Sequence, residues 1–212
     1  MISLDHVYAA VNLPDFDAAA AHDRMAPLRE RTGKSENSRQ AGVLLLLYPE
    51  PDGLYIVLTR RTESLRGHSG QVSFPGGRRD LHDESFTATA LRETCEELGI
   101  CEGITVVGRL SPIYIPPSDF EVFPTVGYVP QRPLFRPNTG EVAEVLGLSL
   151  AALLDERNKR EEEWPFPNMR IKVPYYLVGE HKVWGATAIM LSEFEHRLRA
   201  VVPREVLDGL TR

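Results

Sequence analysis

Three glutamates, Glu93, Glu96 and Glu97, follow Arg92 within a single short stretch of the chain. If residues 85–98 are helical, Glu93 and Glu97 lie one turn apart with Glu96 beside them, at Cβ separations of roughly 5–6 Å. Like charges at that spacing repel, so stability alone gives no reason to gather them. Carboxylates crowded this way suit a hard divalent cation, Mg²⁺ or Mn²⁺. The plain alternative is a solvated acidic helix face, the commoner fate of an isolated REXXEE string.

The surroundings favour the cation. A diglycine turn at Gly76 and Gly77 precedes the string, apolar Phe86, Ala90, Leu91 and Leu98 lie within it, and Gly99 stands where a helix stop belongs. The arrangement resembles the Nudix box, GX5EX7REUXEEXGU with U an aliphatic residue. Arg92, Glu93, Glu96, Glu97, Gly99 and Ile100 fit it, and seven residues lie between Glu84 and Arg92. Thr94 takes the aliphatic position, and six residues rather than five separate Gly77 from Glu84. Counted from Gly77, Asp83 holds the acidic position, so the acid partner of Arg92 is either Asp83 or Glu84.

A second motif runs from Val57 to Gly77. It resembles the signature of the coenzyme A branch of the Nudix family, LLTXR, then Ser or Ala, then X3RX3GX3FPGG. Leu58, Thr59, Arg61, Arg66, Gly70 and Phe74 to Gly77 agree, while Val57 and Thr62 depart mildly. The segment Val183 to Ala188 also looks like that branch. The resemblance implies hydrolysis of the coenzyme A diphosphate to 3′,5′-ADP and 4′-phosphopantetheine, with acyl-coenzyme A as a further substrate. It also implies an α/β fold, a Nudix-type α/β/α sandwich with a mixed sheet. Metal ligands would be Glu93 and Glu97 with Glu96 assisting. The proton acceptor is open between Glu93 and either Glu141 or Glu144, and Arg92 would orient it. A site for coenzyme A needs cations for its phosphates, and guanidinium forks suit that geometry. Arg60 and Arg61 should point oppositely on a strand, so Arg61 and Arg66, in signature positions, are the expected substrate contacts. Gly76 and Gly77 would serve backbone geometry and close approach to the substrate. His68 and His82 read as solvent-exposed loop residues, and Trp184 as a core residue at a strand end. Cys95, among carboxylates, should be a poor nucleophile.

Composition bounds the rest. With 212 residues, 42% hydrophobic and 25% charged, the chain reads as one ordered domain with extensions. A net charge of -6 argues against nonspecific nucleic-acid binding. Two closely spaced cysteines, Cys95 and Cys101, do not make a secreted disulfide framework, and a reducing compartment fits. No apolar run approaches the ~18 residues of a membrane span, and the N-terminus lacks a signal-peptide pattern. The expectation is a cytoplasmic enzyme whose partner is a small molecule, coenzyme A or a derivative, with no nucleic acid and no membrane; it could pair as a homodimer.

Residues 1–40 read as an N-terminal helical extension and linker, 41–200 as the Nudix hydrolase domain, and 201–212 as a C-terminal tail. Within the extension, a peripheral helix is expected over 15–31, capped by Asp15. Strands are expected over 41–48, 54–60, 72–74, 104–115, 121–129 and 145–150, with prolines placing the 104–115 and 121–129 strands at edges or bends. Ser149 should cap a helix over 150–157. Residues 155–163 read as a solvated charge run, 169–178 and 181–184 as a hairpin, and 186–200 as an amphipathic helix.

Overall fold

The apolar run from Ala41 to Tyr48 becomes the middle of the molecule. The computed structural model describes residues 1–26, 38–63, 70–166 and 169–210. In it β1 (Arg39–Glu50) turns tightly into antiparallel β2 (Gly53–Arg61). Leu44, Leu46 and Tyr48 face one side of the sheet, and Leu45 and Leu47 face the other. A continuous apolar strand of this kind is what a sheet covered on both faces requires.

Along the chain, α1 (Leu4–Val11) and α2 (Ala18–Asp23) precede β1. After β2 come β3 (Val72–Ser73), β4 (Gly76–Arg78) and α3 (Phe86–Leu98). Then follow β5 (Thr105–Arg109), β6 (Ile113–Ile115), β7 (Phe120–Tyr128), β8 (Val142–Ser149) and α4 (Leu150–Leu154). The chain continues through β9 (Lys159–Phe166), β10 (Met169–Val178), β11 (His181–Val183), α5 (Gly185–Val201) and α6 (Arg204–Leu210). The first sheet runs β3-β2-β1-β7-β5, with β4 also on β1, β6 on β7 and β8 on β2. Only β1 and β7 are parallel among its described pairs. Strands β11-β10-β9 form a second sheet. Ala90 and Leu98 of α3 cover one face of the first sheet, while Leu191, Phe194 and Leu198 of α5 cover the other. This is the mixed-sheet α/β/α sandwich expected.

Several local expectations are corrected. Strand β7 is central although it carries Pro124. The Pro124 carbonyl accepts from the Leu110 amide, so its ring nitrogen faces the gap where the neighbouring strand passes from β5 to β6, and no ladder donor is missed there. Residues 159–163 of the charge run are strand, in β9, paired to β10. The run is solvated as expected, with no buried residue from Asp155 to Glu163, and Asp155 opens it by capping a 3-10 turn through its side chain. Residues 204–210 of the expected tail form α6.

The N-terminal segment is not peripheral. Asp17, not Asp15, caps α2, and residues 27–31 of the expected helix lie outside the described residues. Val7, Ala10, Val11 and Met25 are buried with Phe194 and Leu198. Helix α5 is also less simply amphipathic than its pattern suggests, because Glu193 and Glu195 are both fully buried. Glu193 accepts from the Ser111 amide at 3.0 Å and Arg197 Nε at 2.9 Å, and lies 2.7 Å from His22 Nε2. Burial alone would raise its pKa, but those partners hold it below the usual glutamate value. Glu195 accepts from Tyr176 Oη at 2.7 Å, Lys159 Nζ at 2.5 Å and Arg199 Nε at 2.6 Å. The two carboxylates thus bind α2 and the second sheet to the helix that backs the main sheet. Among the described residues no helix is long and apolar enough to cross a membrane.

Candidate active site

Helix α3 is fixed at both ends by its own sequence. Ser85 Oγ accepts from the Ala88 amide at 3.1 Å, and Gly99 closes the helix in the left-handed region at φ 71°. The helix lies over β1, and β4 pairs with β1 through Val43↔Gly76, Gly42↔Gly77 and Ala41↔Arg78. This stacking brings the diglycine under the acidic face of α3.

Both glycines are required by close approach. Gly76 sits at φ 151°, and a Cβ there would lie 2.5 Å from the Gly42 carbonyl oxygen. A Cβ on Gly77 would lie 2.5 Å from the Glu93 carboxyl carbon. The Gly76 amide donates to Glu97 Oε2 at 3.3 Å. The diglycine therefore seats the carboxylates of Glu93 and Glu97.

Arg92 joins the remaining acids. Its Nε and Nη2 donate to Asp83 Oδ1 and Oδ2, each at 3.0 Å, and Nη2 also reaches the Arg78 carbonyl at 3.2 Å. Nη1 lies 2.9 Å from Glu93 and 3.1 Å from Glu96. The acid partner is thus Asp83; Glu84 is exposed. Asp83 also accepts from Thr89 Oγ1 at 2.9 Å and the Asp80 amide at 2.9 Å. The Arg92 fork, helped by those donors, holds its carboxyl well below the usual aspartate range.

Glu97 has the opposite environment. It is 4% exposed, and burial pushes its carboxyl up to about 7. The Gly76 amide and the Arg61 charge oppose that rise, while Glu93 and Glu141 add to it. Burial likewise raises Glu93, against Arg92 and with reinforcement from Glu96 and Glu141. A buried and a half-buried carboxylate, each made harder to ionise by burial and by the neighbouring Glu141, form a donor set that a hard divalent cation would relieve. Glu96 is more distant in character, 57% exposed and turned to Arg92. Among the described residues no three His, Cys, Asp or Glu side chains converge into a ready-made metal cage.

Arg60 and Arg61 flank a register shift at the end of β2. Arg60 Nε lies 3.1 Å from Glu144, which His181 also meets at 3.2 Å. Arg61 acts instead on Glu97. Glu144 is thereby engaged by Arg60 and His181, whereas Glu141 acts on Glu93 and Glu97 and accepts from Asn138 Nδ2 at 3.3 Å. Asn138 was not among the expected residues. Its amide donates to the Glu97 carbonyl at 2.8 Å, so it hangs the Glu141 turn from the end of α3. The Asn-Thr-Gly turn was its only signal in the sequence. Arg66 and His68 lie outside the described residues. His82 is exposed, and Trp184 is half-buried, edge to face with Trp164 at 4.6 Å.

The two cysteines are not free thiols. Cys95 and Cys101 are bonded to each other across the Gly99 turn. The reducing compartment was expected because two close cysteines make no secreted disulfide framework; the two nevertheless form one bond, which weakens that expectation.

A family model described as NUDIX domain matches residues 38–167. The chain is 34% identical over 166 residues to the uncharacterized Nudix hydrolase NudL of Photorhabdus laumondii, covering 78% of this chain and 88% of that protein. It is 41% identical over 163 residues to the human mitochondrial coenzyme A diphosphatase NUDT8, covering 74% of this chain and 68% of the human one. The crystal structure of a Nudix hydrolase from M. smegmatis, RenU, superposes with a TM-score of 0.53 at 18% identity, covering 78% of this chain and 88% of that one, a likeness of fold.

Proposed function

The chain belongs to the Nudix hydrolase family, and from that premise we propose that it hydrolyses the diphosphate of coenzyme A, and of acyl-coenzyme A, to 3′,5′-ADP and 4′-phosphopantetheine. One observation carries the substrate reading. The Gly76 amide, at the end of the upstream signature, donates to Glu97 of the acidic helix at 3.3 Å, and the Arg61 charge from the same signature acts on that carboxylate, which supports a single site built from both motifs. The likeness to a human coenzyme A diphosphatase supports the same reading.

In this proposal Glu93 and Glu97, with Glu96 assisting, hold Mg²⁺ or Mn²⁺, which when bound neutralises phosphate charge and makes a water more acidic. Arg61 and Arg66 bind the phosphates, and Gly76 and Gly77 let the substrate and the carboxylates approach closely. Glu141 takes the proton of the attacking water, since Glu144 is engaged by Arg60 and His181 and Glu93 by Arg92. The water oxygen bonds to one phosphorus, the bridging P–O bond breaks, and the departing phosphate keeps the electron pair. Arg92 is a positioning residue that holds Glu93 and Glu96 against Asp83.

A substrate panel with either cation tests the specificity. Coenzyme A should show a kcat/KM at least about tenfold above that of ADP-ribose. Intact coenzyme A beside efficiently cleaved ADP-ribose would assign a different Nudix substrate.

A further inference from the structure

We propose that the Cys95–Cys101 pair is a thiol-exchange site through which low-molecular-weight aliphatic thiols control the end of the acidic helix. Cys95 lies in α3 between Glu93 and Glu97, and Cys101 is exposed just beyond the Gly99 turn. The crosslink spans the point from which the Glu141 segment hangs. At that point the Gly99 amide donates to the Cys95 carbonyl at 2.9 Å, the Arg136 amide to Leu98 at 2.8 Å, and the Asn138 amide to Glu97 at 2.8 Å. The Glu141 amide in turn donates to the Asn138 carbonyl at 2.9 Å. Loosening the turn therefore loosens both Glu97 and Glu141.

The chemistry balances with an external thiol as reductant. A thiolate attacks the exposed Cys101 sulfur, the S–S bond breaks, and its electron pair leaves on Cys95 sulfur, which then takes a proton. A second thiol attacks the mixed disulfide, releasing the Cys101 thiol and a small-molecule disulfide. Two external thiols are oxidised and one protein disulfide is reduced. The crosslink persists until a thiol pool sustains the reduction. The bonded form holds Glu97 and the Glu141 turn in register and is the more active one. The activity consequence rests on the site proposed above; the crosslink's effect on the turn does not.

The test compares the oxidised protein, the protein reduced by glutathione, and Cys101→Ser, each checked by thiol titration. Reduction should speed backbone hydrogen exchange at Gly99, Arg136 and Asn138, and lower kcat/KM for coenzyme A by about fivefold. Glutathione disulfide should restore both. Cys101→Ser should match the reduced protein in both readouts and ignore glutathione. Equal exchange and equal turnover in the two redox forms, or a Cys101→Ser protein indistinguishable from the oxidised one, would overturn the proposal. Should no form cleave coenzyme A, the substrate reading fails, and exchange at the three amides still decides for or against the crosslink.

Discussion

Glu97→Gln is expected to lower kcat for coenzyme A by about a thousandfold or more while making the metal-free protein more stable at pH 8. The two effects share one cause. Glu97 is buried, and among the described residues the Gly76 amide and the Arg61 charge support its ionised form. Its carboxyl, near 7 when folded, lies above the unfolded value of about 4.3. The advantage of holding that proton in the fold is fully present below the unfolded value and is lost as pH rises through about 7. Metal-free stability should therefore fall across that window by on the order of 3 kcal/mol. Glutamine keeps the shape and an acceptor for Gly76 but carries no charge, so this decline should disappear. Mg²⁺ or Mn²⁺ should raise Tm in the native protein at pH 8 and do so much less in the variant. Thermal melts across pH, with chelator and with each cation, check both halves; a variant with native turnover removes Glu97 from the metal site.

Arg92→Lys should cost both stability and rate, although the charge is kept. The arginine makes five contacts from one planar fork, to both Asp83 oxygens, Glu93, Glu96 and the Arg78 carbonyl. Lysine offers a point charge that cannot reach them together. Asp83, 8% exposed, would keep only Thr89 and the Asp80 amide, at a cost of about 2–3 kcal/mol. Glu93 would lose its orientation, and kcat/KM should fall roughly 10–100-fold. The folded carboxyl of Asp83 is depressed, so the stability it contributes is present above the unfolded aspartate value and lost as pH falls through the folded one. With the fork gone, acid unfolding should begin at higher pH. Urea melts, acid titration and steady-state kinetics test the three consequences. Native stability and an unchanged acid midpoint would refute the bracing role given to Arg92.

The acidic helix was legible because its signals are local: Ser85 caps it, Gly99 stops it, and the Glu93 to Glu97 spacing sets the charged face. The partner of Arg92 was not, because Asp83 and Glu84 differ by one residue in a turn and only the fold presents one of them to the guanidinium. Arg61 was singled out by motif, yet its effect on Glu97 depends on the register shift after Arg60. The buried Glu193 and Glu195 look solvent-facing in a helical pattern. Their partners His22, Ser111, Tyr176 and Lys159 come from distant elements that no local periodicity reports. The Cys95–Cys101 bond was missed for the same reason, since six residues of separation allow it only when Gly99 reverses the chain.

Mass spectrometry of the products formed from coenzyme A in ¹⁸O-water with Mg²⁺ bears most directly on the proposed reaction. The account predicts 3′,5′-ADP and 4′-phosphopantetheine in equal amounts, with one ¹⁸O atom in a product phosphate, and no incorporation with Glu97→Gln. Intact coenzyme A, or cleavage that leaves both phosphates of the former diphosphate unlabelled, would contradict it.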